Sequence, residues 1–208
     1  VRTHTLVDTY RCYTLWTLAR QAARRGLELA GDAEPPSILE VGVWQGGTSA
    51  VLAAAVSKET KAAGEAAAVG RLVLADTFTG VVKAGSHDPY YKGGEHANTS
   101  EELVRGVVAP YFSGEIEVLS GVFPEDTGDR ISSDRFSLVH IDVDVYQSAR
   151  DAYEWALPRT VPGGAIVFDD YAFYGCEGVT HFVNEIFYEA GHTVVHSLSG
   201  QAILVVHG

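Results

Sequence analysis

Residues 37–49, SILEVGVWQGGTS, admit few structures. Ile38, Leu39, Val41 and Val43 form an apolar run that meets Gly42, Gly46 and Gly47, and Thr48 and Ser49 then open an Ala-rich segment. That order is how a buried parallel strand delivers a loop to a helix N-terminus. Glycines let a ligand approach the backbone, and the free N–H groups of the first helical turn favour an anionic or carboxylate-bearing group. A nucleotide-like cofactor is therefore expected at Glu40, Gly42, Gly46, Gly47, Thr48 and Ser49. The spacing Glu40-x-Gly42-x-x-x-Gly46-Gly47 is not the G-x-G-x-x-G of a dinucleotide fingerprint, which favours S-adenosylmethionine over NAD.

The rest of the chain alternates in the same manner. Leu72–Thr77, Glu115–Ser120, Phe136–Asp144 and Ala165–Phe168 read as further buried strands. Helices are expected over Leu6–Leu29, Ser49 to about Ala68 with an interruption at Gly64, Glu101–Tyr111 from a Thr99 or Ser100 cap, Ser148–Leu157, and Gly178–Ala190. Asp32–Pro36 ends the first helical stretch and Pro158–Gly164 forms a turn before the fifth strand. His192–Leu198 and Gln201–His207, joined at Ser199-Gly200, read as a closing hairpin. The expected fold is a doubly wound, mainly parallel, seven-stranded α/β sheet of Rossmann-like type, with a C-terminal antiparallel hairpin and a helical extension over residues 1–36. At 208 residues one domain suffices. Residues 79–100 lack periodicity and are rich in glycine, so they read as a long loop and, at that length, as an active-site lid.

Ligands of such a sheet sit beyond the carboxyl ends of its strands. There the sequence places Asp76 and Thr77, Gly121, Asp142 and Asp144, and Asp169 and Asp170. Asp76 can accept both hydroxyls of a ribose, although a capping Asp is also common at such a junction. The second acidic group is sharper. Two carboxylates about 4 Å apart repel by about 4 kcal/mol at an effective dielectric of about 20. No Lys or Arg lies beside them in sequence, so a divalent cation such as Mg²⁺ on Asp142, Asp169 and Asp170 is the economical answer. Continued alternation puts His140, Asp142 and Asp144 on one face, with Asp142 the better metal ligand and Asp144 the nearer base. His140 reads as a satisfied core histidine, His96 as a lid residue within reach of substrate, and Trp44 and Trp155 as packing residues.

A net charge of −12 without a Lys/Arg cluster disfavours nucleic acid or an anionic membrane as partner and leaves a small molecule. Cys12 and Cys176 lack C-x-x-C spacing, no apolar run spans a bilayer and no leader pattern is visible, so a cytoplasmic protein is expected. The absence of Met implies residues upstream of Val1. The aromatic N-terminal helices leave room for a homodimer.

EVGVWQGGTS, LADTFTG, SGVFPEDT, HIDVDVYQSARDA and PGGAIVFDDY, in that order over residues 5–185, resemble the macrocin O-methyltransferase family. The resemblance implies a class I methyltransferase domain that moves the methyl of S-adenosylmethionine to a hydroxyl, often on a deoxysugar of a secondary metabolite. It implies that Glu40, Gly42 and Gly46–Ser49 hold the methionine part, Asp76 the ribose, and Asp142, Asp169 and Asp170 the Mg²⁺. Asp142-Val143-Asp144 stands where the family has Asp-Gly-Asp, and the lid VVKAGSHDPYYKGGEH is longer than usual. An NAD-linked oxidoreductase would share the sheet, the glycine loop and Asp76 but leave the aspartates unexplained. A non-catalytic metabolite-binding protein would bind the cofactor without metal-dependent turnover.

Overall fold

Strand β1 (Ser37–Val41) is buried along its whole length because helices cover both sides of it. Leu39 and Val41 point into one apolar cluster and Ile38 into the other, as period-two alternation requires of a central strand. The computed structural model describes residues 2–29, 35–64 and 69–208. Its sheet comprises β1, β2 (Leu72–Asp76), β3 (Ile116–Ser120), β4 (Phe136–Ile141), β5 (Thr160–Phe168), β6 (His192–Ser197) and β7 (Gln201–Val206), in the order β3-β2-β1-β4-β5-β7-β6. The first five strands are parallel and β7 runs antiparallel to both β5 and β6. Winding reverses between β1 and β4, which places the crevice there.

Helices α1 (Thr9–Leu29), α2 (Gly47–Ala63) and α3 (Glu101–Val108) contribute Leu15, Ala19, Leu52, Val56, Val104 and Val108 to the cluster on one face. Helices α4 (Tyr146–Ala156) and α5 (Glu177–Ile186) contribute Ala149, Ala152, Tyr153, Phe182 and Val183 to the other. Full burial of side chains such as Leu39, Phe136 and Phe168 contributes about 1.5–3 kcal/mol each.

Several boundaries differ from the sequence expectation for local reasons. Helix α1 begins after Asp8, whose carboxylate accepts the amides of Tyr10 (2.7 Å) and Arg11 (3.2 Å) as a cap. Of the break expected at Asp32–Pro36, residues 32–34 lie outside the described residues. Helix α2 starts two residues early, straight from Gly46 at φ 82, and ends where Gly64 takes φ 68; residues 65–68, expected to continue it, lie outside the described residues. Ser100 is the cap of α3, its hydroxyl accepting Leu103 N–H at 3.1 Å. Strand β4 stops at Ile141 rather than Asp144, and Asp144 itself turns to φ 66. The alternation that would set Asp144 on the face of His140 and Asp142 is thereby broken. Strand β5 starts at Thr160, inside the expected Pro158–Gly164 turn: pairing steps from Phe136↔Thr160 to Leu138↔Ala165, and Pro162, Gly163 and Gly164 fall in the bulge. Helix α4 starts at Tyr146, whose amide donates to Asp88 Oδ1 at 2.9 Å, a cap supplied from a distant loop. No helix among the described residues is long and apolar enough to cross a membrane.

Candidate active site

Where β1 ends, Gly42 has φ 86, and a Cβ there would stand 1.8 Å from the carbonyl oxygen of Asp142. Only glycine fits so close to the neighbouring strand. Gly42 N–H donates to Ala75 O (2.8 Å) and Asp142 N–H to Val41 O (2.9 Å), so the ends of β2, β1 and β4 are tied side by side. Asp76 then shapes the loop. Its Oδ2 accepts Val43 and Trp44 N–H at 2.9 Å each and its Oδ1 accepts Phe78 N–H at 2.7 Å. Behind the loop, Gly47 N–H donates to His4 O at 2.9 Å. Ser49 Oγ donates to Glu40, which is fully buried.

A cavity of about 360 Å³ opens above these strand ends. Gly42, Thr48, Asp76, Thr77 and Gly121 line it on the glycine-loop side, and Asp142, Asp144, Asp169 and Asp170 on the other. Glu40, Gly46, Gly47 and Ser49, expected at the cofactor, are not part of the lining; Glu40 and Ser49 bond to each other behind it. Residues 80–82, Tyr91 and His96 of the 79–100 loop form part of the wall, and His4–Val7 and Arg11 another part. The loop is firmly held. Asp88, 3% exposed, accepts both Gly85 and Tyr146 N–H at 2.9 Å, Trp44 Nε1 donates to Asn98 Oδ1 at 2.9 Å, and Ser148 Oγ donates to Val82 O at 3.0 Å. Two ligand-sized constellations arise on the acidic side: oxygens or nitrogens of His140, Asp142 and Asp169 lie within 4.8 Å of one another, as do atoms of Asp144, Asp170 and Cys176.

A glycine loop thus faces a row of strand-end carboxylates across one cleft. A sequence profile described as Macrocin-O-methyltransferase (TylF) matches residues 3–196. The chain belongs to the macrocin O-methyltransferase family. Within 159 residues it is 33% identical to the 8-demethyl-8-(2,3-dimethoxy-alpha-L-rhamnosyl)-tetracenomycin-C 4'-O-methyltransferase of Streptomyces olivaceus, covering 72% of this chain and 58% of that protein. It is 26% identical over 189 residues to the mycinamicin III 3''-O-methyltransferase of Micromonospora griseorubida, covering 86% of this chain and 69% of that one. The chain therefore spans little more than half of the first relative. In fold it is similar to the O-methyltransferase NovP, with a TM-score of 0.73 over 99% of this chain and 83% of that one at 19% identity.

In this macrocin O-methyltransferase family member, the carboxylates are not left to repel each other unassisted. Arg11, 4% exposed on α1, pairs through Nη1 with Asp169 Oδ2 and also donates to Asp169 O at 3.2 Å. His140 lies wholly buried between two acids, donating through Nδ1 to Glu40 (2.9 Å) and through Nε2 to Asp169 Oδ1 (3.3 Å). Gln201 Nε2 adds a bond to Asp169 Oδ1 at 2.6 Å. Burial opposes the charge on His140, but the bonds to Asp169 and Glu40 outweigh it and hold its pKa well above the usual histidine range. Asp142 is different: among the described residues no donor reaches its carboxylate. Burial, with Asp169 and Asp170 nearby, pushes its pKa well above the ordinary range. Burial and the charges of Asp144 and Asp169 do the same to Asp170, whose Oδ2 accepts Asp144 N–H at 3.1 Å. Asp144 is also raised by burial, against the opposing bond from Tyr91 OH at 2.7 Å. Of the expected ligands, Asp142 and Asp169 fall in the first constellation and Asp170 in the second; an oxygen-rich edge with one carboxylate lacking donors among the described residues fits a hard divalent cation.

Arg11, Tyr91 and Asp88 carry no sequence signal for these positions: each reaches its partner by tertiary packing, Arg11 from 158 residues away. The expectation that no cation relieves the aspartates holds only along the sequence, and Arg11 supplies one in space. Trp44, expected to be packing, lines the cavity, whereas Trp155 does pack, its ring centroid 4.9 Å from that of Phe123.

Proposed function

We propose that this chain is an S-adenosylmethionine-dependent O-methyltransferase acting on a sugar hydroxyl of a secondary metabolite, with a divalent cation, Mg²⁺, at Asp142, Asp169 and Asp170. The observation that carries this is the sharing of one cavity by Gly42, Thr48 and Asp76 with those carboxylates. The rhamnosyl and mycinamicin acceptors in the names of the relatives favour a glycoside, and a net charge of −12 favours a small molecule over nucleic acid. Two free cysteines fit a reducing cytoplasm.

Gly42 and the Asp76-braced amides of Val43 and Trp44 shape the cofactor side, with Asp76 and Thr77 toward the ribose and Gly121 beside them. When bound, the cofactor supplies an electrophilic methyl group and the cation lowers the pKa of the acceptor hydroxyl. Asp144 takes the hydroxyl proton at Oδ1 or Oδ2; its raised pKa makes it a stronger base than a solvated carboxylate. Tyr91 OH fixes the orientation of that carboxylate, and the 79–100 loop excludes water from the cleft. Orientation of acceptor and donor contributes on the order of 7–11 kcal/mol in such sites.

The test is calorimetric titration of S-adenosylmethionine with and without MgCl₂, followed by methyl-label transfer to a panel of rhamnosides and other deoxysugar glycosides. Label transfer that requires both cofactor and metal is expected. A folded protein that binds no S-adenosylmethionine would sink the proposal.

A further inference from the structure

Arg11 occupies an unusual place for a residue of a packing helix. Its Nε donates to Asp8 Oδ2 at 2.7 Å, its Nη1 to Asp169, and its guanidinium lies 4.7 Å from the centre of the Phe173 ring. Immediately upstream, residues 4–7 cross the glycine loop and line the cavity. That segment is fastened at one end by the bond from Gly47 N–H to His4 O (2.9 Å) and at the other by Arg11 on Asp169. Both oxygens of Asp169 are thus occupied by protein donors, Oδ1 by Gln201 and His140 and Oδ2 by Arg11.

We propose that Arg11 is a positioning residue that stands in for a cation at the carboxylate edge, and that metal binding and the seating of residues 4–11 over the site oppose each other. The inference rests on the metal reading of the proposed function. A divalent cation drawn to Asp142, Asp169 and Asp170 competes with the guanidinium for Asp169 and is repelled by its charge at close range, where screening by salt is weak. Whatever loosens Arg11 loosens the segment it anchors. By linkage the effect is mutual: the seated segment weakens the metal to the degree that the metal weakens the seating.

The experiment compares wild type, Arg11→Gln and Arg11→Lys by calorimetric titration of MgCl₂, with hydrogen exchange of residues 4–11 measured in each with and without the metal. Arg11→Gln should bind Mg²⁺ about ten-fold more tightly, within the usual range of such couplings. Arg11→Lys, which keeps the positive charge that repels the cation, should stay within about three-fold of wild type. Added Mg²⁺ should speed exchange of residues 4–11 in wild type, a readout that stands even where Arg11→Gln fails to fold. Equal or weaker metal binding by folded Arg11→Gln, Arg11→Lys behaving as Arg11→Gln, or slower exchange of the segment on adding metal would overturn the inference alone. Failure of wild type and variants to bind Mg²⁺ while still binding S-adenosylmethionine would remove the metal reading, and this inference with it.

Discussion

Gly42 and Asp142 touch backbone to backbone: a Cβ on the first would lie 1.8 Å from the carbonyl oxygen of the second. The contact joins the end of β1 to the end of β4 at the point where the sheet reverses its winding. It makes the glycine loop and the carboxylate edge one rigid unit, so that a cofactor on the first and a cation on the second would be held at a fixed separation.

Gly42→Ala should therefore do more than strain one turn. A left-handed backbone at φ 86 costs a non-glycine residue about 1–2 kcal/mol, and relief of the contact must push β1 and β4 apart. A fall in denaturant midpoint together with weaker S-adenosylmethionine binding is expected. An unchanged midpoint and affinity would show that the two strand ends yield independently.

Asp142 and Asp169 should respond in opposite ways to the same chemical change. Asp169→Asn breaks the buried pairings with Arg11 and His140 and should destabilise the metal-free protein by about 3 kcal/mol, because those cations are left buried. Among the described residues Asp142 has no donor to lose, and it gains relief from its neighbours, so Asp142→Asn should leave the metal-free protein as stable as wild type or more so, while abolishing Mg²⁺ binding. Thermal melts in EDTA, paired with calorimetry, read both effects. Equal destabilisation by the two substitutions would contradict the assignment.

Metal-free stability should decline as pH rises. The folded-state pKa values of Asp142 and Asp170 are raised, so the unfolded chain releases these protons first, and stability falls from the ordinary carboxylate pKa of about 4 upward until the folded values are passed. His140, also raised, contributes stability that is complete below its unfolded pKa of about 6.5 and is lost as pH climbs through the folded value. Both act in one direction. A lower melting temperature at alkaline than at mildly acidic pH in EDTA is expected, with the difference shrinking in Mg²⁺; a rise toward alkaline pH in EDTA would refute it.

Tyr91→Phe removes the hydroxyl that steadies Asp144 without changing the cavity wall. Turnover should fall about ten-fold, a fraction of the full effect of a general base, with S-adenosylmethionine affinity nearly unchanged. Equal losses in turnover and cofactor affinity would instead indicate that Tyr91 holds the 79–100 loop in place.

The thiols offer a test that needs no substrate. Burial pushes Cys12 up to about 11 and raises Cys176 further, with Asp170 and Asp144 adding to the effect. Iodoacetamide at mildly alkaline pH should label neither in the native protein and both after unfolding. Rapid native labelling of Cys176 would mean that the cavity opens readily around it.

The strands and helices were legible because each is written in a local pattern: the apolar runs ending at Gly42, Asp76 and Asp169, the Ser100 cap, the glycine that stops α2. Even the crevice could be located, since a doubly wound sheet with right-handed crossovers sets β1 centrally and binds ligands where the winding reverses. The boundaries that slipped did so where a distant group intervened, as when Asp88 caps α4 and moves its start to Tyr146. The sheet, the glycine loop and the four aspartates on one edge follow from the order of residues, because periodicity and chain direction are properties of consecutive positions. That Arg11 neutralises Asp169, that Tyr91 holds Asp144, that Glu40 bonds Ser49 behind the loop, and that Asp142 alone of these aspartates lacks a donor among the described residues, emerges from packing in three dimensions. Charge compensation depends on distance in space, and a pairing across 158 positions leaves no trace in the order of residues.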